Sequence, residues 1–405
     1  MSNYKPKNQI GVGGFEFGEK EKEYLMEVVK SNRLTYGPWS QKFENLFAGA
    51  HDCKYGLFMN SGTSALHIAI AALQERYSWE DGDEVIVPAI TFMATSNVVF
   101  HNRMKPVFVD IDSKTYNIDP SKIEAAITPR TRLILPVHLF GMSADMEPIM
   151  AIAKKHNLRV IEDSCEAVLA SYKGKKVGSF GDVGCFSTYV AHFLVTGVGG
   201  LAITNDPDLA IMMRSMMNHG RDSIYLNIDD DKNKSPDELR MVVEKRFSFE
   251  RLGHSFRATE MEAAIGVAQL EGIGKNLDRR AEIAGFYGKN LADLGEYLQL
   301  PYVPEDRNHR FMMYPIVLKN EAKKDLVNFL EEKNIETRDM LPLINQPAYK
   351  KIFGDIEDNF PVAKWINKNG FYVPCHPYLS GDDVQYIADT IHEFFEKKKL
   401  QLSAV

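Results

Sequence analysis

From Lys54 to Thr204 the chain repeats one pattern, a short apolar run followed by a longer stretch whose apolar residues recur at helical spacing. The runs are YGLFMN, EVIVPAI, MKPVFVDI, RLILPVHLF, RVIEDSC, VGCFSTY and GLAIT. Short apolar runs with polar ends predict buried strands. Strands that alternate with helices need right-handed crossovers, so the pattern predicts an α/β fold, a mostly parallel sheet flanked by helices on both faces. Ligands of such sheets lie beyond the C-terminal strand ends. The polar residues of the pattern fall there: Asn60 to Ser64, Phe92, His138, Asp163 and Ser187.

Outside this region the pattern divides the chain further. Residues 1–19 read as an arm containing GVGG at Gly11–Gly14; without a preceding strand, this glycine cluster is a poor phosphate loop. A helix is expected over 20–31 and a turn at Gly37-Pro38. Residues 205–250 open with the helical PDLAIMMRSMMNHG and continue into a highly charged stretch, expected to be a solvated insertion over about 222–250. The large domain is placed at 20–270 and a smaller α+β domain at 271–405. The latter carries a strand in RFMMYPIVLK and an amphipathic helix in AKKDLVNFLEEKNI. Its last helix has Val384, Ile387, Ile391 and Phe394 on one face, Ser380 as cap and a frayed QLSAV end.

Composition narrows the classes. With 44% hydrophobic and 25% charged residues over 405 positions, the chain is expected to be a soluble globular protein with room for two domains. A net charge of −7 argues against a nucleic-acid binder. Cys53, Cys165, Cys185 and Cys375 are too scattered for a disulfide framework or a zinc pattern and read as reduced cytosolic thiols; no metal is expected. Neither an apolar leader nor a run of about 18 apolar residues is present, so a cytoplasmic protein without a membrane span is expected.

The candidate chemistry follows the strand ends. Asn60-Ser61-Gly62-Thr63-Ser64 opens a helix after a strand, where free N–H groups and a glycine suit a phosphate dianion; an ordinary N-cap is the competing reading. Phe92 is a stacking ring or simple packing. Asp163, three residues before Glu166, is a helix cap or a carboxylate partner for a ring nitrogen. His138 reads as a buried structural histidine. Arg338 is an exposed arginine or a ligand for a carboxylate or sugar.

The stretch DVGCFSTYVAHFLVTGVGGLAIT, from Asp182 to Thr204, resembles the pyridoxal-phosphate-dependent nucleotide-sugar aminotransferases of the DegT/DnrJ/EryC1/StrS type. They share its layout of a serine, a lysine five positions on and a glycine pair. Here the lysine position holds His192, 29 residues after Asp163. Imidazole moves protons near neutral pH but forms no imine. The resemblance spans about 15–398 and implies a fold type I aminotransferase architecture. It also implies pyridoxal 5′-phosphate or pyridoxamine 5′-phosphate, bound non-covalently. Gly62, Thr63, Phe92, Asp163, Glu166 and Ser187 would hold the cofactor, and Tyr36, His219 and Arg338 the substrate.

The segment GHSFRATE is similar to a family segment that reaches the neighbouring subunit's cofactor. It implies a homodimer with a composite site to which Ser255 contributes, serine standing where asparagine is usual. Histidine for lysine, Glu166 for glutamine and the charged insertion resemble the 3-dehydratase branch. That branch implies His192 and Asp163 as catalytic residues, L-glutamate as amino donor and a nucleotide-linked 4-keto-6-deoxy sugar as substrate. The scattered cysteines argue against an iron–sulfur reductase partner. Val198, where glutamate is common, departs from the pattern. Other pyridoxamine chemistry and a non-enzymatic binding descendant are the alternatives.

Overall fold

The computed structural model describes residues 4–222, 234–245, 247–319 and 322–403. Of the expected insertion, residues 223–233 and 246 lie outside the described residues, as do 1–3 of the arm and 404–405 of the tail. Every apolar run of the repeating pattern forms a strand: β1 Tyr55–Met59, β2 Glu84–Pro88, β3 Lys105–Val109, β4 Thr131–Ile134 and β5 Arg159–Asp163. After a small hairpin, β6 Ser171–Tyr172 and β7 Lys175–Lys176, come β8 Val183–Ser187 and β9 Gly200–Thr204. Seven of these build one sheet in the order β1-β9-β8-β5-β4-β2-β3. β2, β3, β4, β5 and β8 pair in parallel, and β9 runs antiparallel between β8 and β1. The sheet is thus mostly parallel, as the pattern predicts. Pro106 is tolerated because β3 is an edge strand with no second neighbour to bond.

Direction matters more than order for the site. β5 and β8 end at Asp163 and Ser187, and the reversed β9 begins at the same edge, with Gly200 opposite both Ser187 and Met59. The helix Gly62–Tyr77 starts there too, packing on β8 and β9. The approach is close: a Cβ on Gly200 would lie 2.2 Å from the Gly62 nitrogen, and one on Gly62 would lie 2.9 Å from Ser187 Cβ. Glycine at both positions lets the helix start press against the strand ends.

The helix Glu260–Asn290 runs unbroken for 31 residues, opened by a capping box between Thr259 and Glu262, and so passes straight through the boundary expected at 270/271. Ala263, Val267, Ile273 and Leu277 pack into the large-sheet core, and Ile283, Ala284 and Tyr287 into the second core. The handover falls between Leu277 and Ile283. The second core covers a four-stranded antiparallel sheet of β10 Leu298–Gln299, β11 Tyr314–Leu318, β12 Arg338–Asp339 and β13 Gly370–Val373, in the order β10-β11-β13-β12. It takes in Leu326 and Leu330 of the helix Lys323–Glu332, and Val384, Ile387, Ile391 and Phe395 of the helix Gly381–Ser403. Phe394, expected on that face, is only partly buried, and Phe395 takes its place. Ser380 caps this helix, its hydroxyl accepting from the Asp383 N–H at 3.0 Å. Among the described residues no helix is long and apolar enough to cross a membrane.

Two glycine substitutions have opposite expected signs. Gly200→Ala forces a Cβ into backbone and is expected to destabilise by about 3 kcal/mol or more. Gly285→Ala, in the exposed helix interior with nothing within 4 Å of the added Cβ, is expected to stabilise by about 0.5–1 kcal/mol. Denaturant midpoints measured side by side check both.

Candidate active site

The strand ends, the start of helix Gly62–Tyr77 and the loop 188–199 enclose a cavity of about 410 Å³. At one end the Ser61 hydroxyl accepts from the Ser64 N–H at 3.0 Å, and Asn60 Oδ1 accepts from the Ser64 hydroxyl at 2.7 Å. This fixes the first turn and leaves the N–H groups of Gly62 and Thr63, the first two of the helix, without an acceptor among the described residues. Ser187, at the end of β8, accepts from the Tyr189 N–H at 3.3 Å, which leaves its hydroxyl hydrogen free to donate. A helix N-terminus with two open N–H groups and one hydroxyl is an anion cradle.

A buried acid pair stands elsewhere in the wall. Asp163 Oδ2 accepts from the Thr95 hydroxyl at 2.7 Å and Oδ1 from the Cys165 N–H at 3.2 Å; Thr91 Oγ1 lies 2.8 Å from Thr95 Oγ1. Burial raises the Asp163 pKa, against the pull of these donors. Glu166 Oε2 accepts from the Phe140 N–H at 2.8 Å. Burial, with Asp163 adding to it, pushes Glu166 up to about 8, so its carboxyl is neutral at pH 7. His138 is excluded from this chemistry because both ring nitrogens are taken, Nε2 by Glu162 at 2.9 Å and Nδ1 by the Ala144 N–H at 3.0 Å.

His192 stands on the loop 188–199, which is tied shut at its base. Thr188 N–H donates to the Gly199 carbonyl and Thr196 N–H to the Thr188 carbonyl, each at 2.9 Å. The two threonine hydroxyls meet at 2.6 Å, and that of Thr196 donates to the Val198 carbonyl at 2.7 Å. The His192 N–H donates to the Tyr189 carbonyl at 2.9 Å, while its ring is buried and meets the Cys165 carbonyl. Burial lowers its pKa to about 4, and the Arg280 guanidinium pushes in the same direction, against the upward pull of the Cys165 carbonyl. The ring is therefore a neutral base at pH 7. Arg280 is itself buried and has no carboxylate partner among the described residues. Its Nη1 donates to the carbonyls of Phe311, Met312 and Cys375 at 3.1, 2.7 and 2.8 Å, and its guanidinium lies 4.9 Å from the centre of the Phe193 ring.

Of the sequence-derived candidates, Gly62, Thr63, Phe92, Asp163, Glu166, Ser187 and His192 line this one cavity. Arg338 lines an adjoining outer chamber of about 740 Å³, which shares Thr91, Phe92, Tyr189, Ala191, Leu341 and Tyr372 with the inner cavity. Tyr36, His219 and Ser255 line neither. The Tyr36 hydroxyl donates to Glu44 at 2.8 Å, and burial beside that carboxylate raises its pKa. His219 and Ser255 gather around Arg257, whose Nη2 is 3.3 Å from His219 Nε2 and donates to Ser255 Oγ at 3.0 Å. Sequence reasoning missed Thr95, Thr188, Thr196 and Arg280. Thr91 and Thr95, four apart at a helix start, carried a local signal; Arg280 carried none, because its partners are 31 to 95 residues away.

The residues present fit a pyridoxal-type cofactor: an anion cradle for a phosphate, the exposed Phe92 ring for a ring face, and Asp163 for a ring nitrogen. Among the described residues, no group of His, Cys, Asp and Glu is arranged to hold a metal, and all four cysteines are free.

Comparison with known proteins gives the family and the fold. GDP-perosamine synthase of Caulobacter vibrioides is 35% identical, over 94% of this chain and 96% of its own. The dTDP-4-dehydro-2,6-dideoxy-D-glucose 3-dehydratase of Saccharopolyspora spinosa is 30% identical, over 96% of this chain and 87% of its own. The structure of the E. coli GDP-4-keto-6-deoxy-D-mannose-3-dehydratase with bound hydrated PLP superposes with a TM-score of 0.86 at 26% identity, covering 96% of this chain and all of that one. Residues 16–392 match the family model itself, so the chain belongs to the DegT/DnrJ/EryC1/StrS aminotransferase family.

Proposed function

We propose that this protein is a 3-dehydratase acting on a nucleotide-linked 4-keto-6-deoxyhexose, with non-covalently bound pyridoxamine phosphate as cofactor, L-glutamate as amino donor and a homodimer as the working unit. One observation carries the reading. Among the described residues none that lines the inner cavity is a lysine, and the neutral imidazole of His192 stands where the family's tethering amine is expected. A site with a base and no amine suits proton movement on a free cofactor.

When bound, the cofactor supplies an amine for the sugar C4 carbonyl and a ring that accepts an electron pair. The Gly62 and Thr63 N–H groups and the Ser187 hydroxyl hold its phosphate, Phe92 covers the ring, and Asp163 keeps the ring nitrogen protonated. His192 would take a proton at C4′ of the bound cofactor and, as imidazolium, would give it to the C3 hydroxyl, which would leave as water. Over the cycle glutamate supplies two electrons and departs as 2-oxoglutarate, and its nitrogen is released as ammonia beside the 3-deoxy-4-keto sugar. Glu166, neutral at pH 7, sits near Asp163 without adding a second negative charge. Ser255 and His219, which line neither chamber of their own chain, are assigned to the cavity of a second copy. The likeness to GDP-perosamine synthase favours a second reading, amino transfer to the sugar; its product is an amino sugar, with no ammonia released.

Three outcomes are expected. His192→Asn removes the base and is expected to lower turnover of a 4-keto-6-deoxy nucleotide sugar by about 10²-fold or more, read by chromatography of the products; near-normal turnover would refute the assignment. His192→Lys is expected to give a borohydride-reducible covalent link to pyridoxal phosphate, visible as a mass increase on the intact chain. The pH profile of kcat/KM is expected to fall on the acid side as His192 protonates near pH 4, and on the alkaline side as Glu166 loses its proton near pH 8. Glu166→Gln keeps this position neutral and is expected to remove the alkaline limb; a limb that persists belongs to another group.

A further inference from the structure

The GVGG arm, which the sequence pattern leaves without a role, crosses the mouth of the site. Ile10 is buried in the second core and pairs with Ile335, its N–H donating to the Asn334 carbonyl at 2.8 Å and its carbonyl accepting from the Glu336 N–H at 3.0 Å. The next residues are tied down in turn. Val12 N–H donates to Glu336 Oε2 at 2.7 Å, and the Gly11 carbonyl lies 3.1 Å from His376 Nε2. The arm then meets the catalytic loop: a Cβ on Gly13 would lie 3.3 Å from the Ala191 Cα and 3.7 Å from the Val190 carbonyl oxygen, one residue before His192. Val12 and Gly13 thereby form part of the wall of the outer chamber.

The chemistry of that chamber says which part of a substrate it takes. Phe92, Tyr189 and Tyr372 give it aromatic surface, Gln346 an amide, and Glu336 and Asp339 carboxylates that are paired with Arg338 and Lys323 but keep lone pairs to accept from a hydroxyl. Its one cationic side chain among the described residues, Arg338, is already paired with Glu336. Aromatic faces with carboxylate and amide acceptors match a neutral, hydroxyl-rich ring, and a diphosphate would find no free cation here. The chamber also opens directly onto the inner cavity, so a sugar lying in it can bring a ring carbon to the cofactor.

We infer that the GVGG arm is the outer wall of the hexose chamber, and that the missing side chain of Gly13 sets the width available to the sugar. The inference rests on the proposed function for the identity of the sugar, and on the arm's own contacts for its position. A side chain at position 13 would start 3.3 Å from the Ala191 Cα and so press on the wall that Gly13, Val190 and Ala191 share, at a residue outside the acid–base machinery.

The test is isothermal titration of wild type, Gly13→Ala and Gly13→Val, each loaded with pyridoxamine phosphate, against GDP-, dTDP- and UDP-linked hexoses. The expected result is a graded loss of affinity, with Kd raised at least tenfold in Gly13→Val and by less in Gly13→Ala. Glu336→Gln, which keeps an acceptor for the Val12 N–H, is expected to bind more tightly than Glu336→Ala. In parallel, glutamate-driven conversion of pyridoxal to pyridoxamine phosphate is followed by absorbance without sugar, and is expected to slow in Gly13→Val by a smaller factor than the Kd rises. Equal Kd values across the Gly13 series, absence of nucleotide-hexose binding by wild type, or loss of glutamate conversion in step with sugar affinity would each overturn the inference. The last would make the arm a mere prop for the His192 loop. If wild type fails to convert glutamate, the proposed function falls while the Kd series still decides the role of the arm.

Discussion

The site depends on one steric constraint, the contact of the Gly62 backbone with the start of β9 at Gly200. A Cβ at Gly200 would lie 2.2 Å from the Gly62 nitrogen, closer than any packing tolerates. Because neither residue carries one, the N-terminus of helix Gly62–Tyr77 lies against the ends of β1 and β8 instead of a side chain's width away. This brings Ser187 beside the open N–H groups of Gly62 and Thr63. The same contact fixes the exit of the loop 188–199, since β9 begins where that loop ends. The anion cradle and the position of His192 are therefore consequences of one backbone approach.

Burial then decides protonation. The cavity wall holds Asp163, Glu166 and His192, and desolvation pushes each toward its neutral form. Asp163 is the one best supplied with donors, from Thr95 and Cys165, and a protonated ring nitrogen beside it would stabilise its anion further. Glu166 has one backbone donor and stays neutral. Burial first, and then the field of Arg280, a cation satisfied by three carbonyls, lower the pKa of His192. Burial thus raises both carboxyls and lowers the imidazole, and the donors around Asp163 oppose that rise more than the single donor on Glu166 does.

The fold and half of the site were legible in sequence because their signals are local. Each strand announces itself by an apolar run, and the strand ends together with the family resemblance name Gly62, Thr63, Phe92, Asp163, Glu166, Ser187 and His192, which the fold brings to one cavity. What escaped depends on contacts distant in sequence. The handover between cores near Leu277 to Ile283 is hidden because a continuous helix serves both. Arg280 looks like any charged position on a long helix until the carbonyls of Phe311, Met312 and Cys375 are folded around it. Tyr36 was assigned to the sugar by resemblance, and its hydroxyl is instead engaged by Glu44, which also takes both Nη atoms of Arg214.

The absence of a lysine changes what the rest of the site must do. A covalent link would hold a cofactor whatever the quality of its other contacts. In the proposed site, without one, retention would rest on the phosphate cradle, the Asp163 carboxylate and the aromatic cover of Phe92, which is 61% exposed. Tyr189 and Val198 beside it are also half exposed. An open aromatic mouth is a poor seal by itself, and water reaching the site would compete for the proton that His192 carries. The arm lies over the 189–191 loop, and on the proposed reading it and a sugar bound in the chamber would supply the missing cover. On the proposed function, a sugar bound in that chamber would also keep water from the base, so binding and the exclusion of water would be linked.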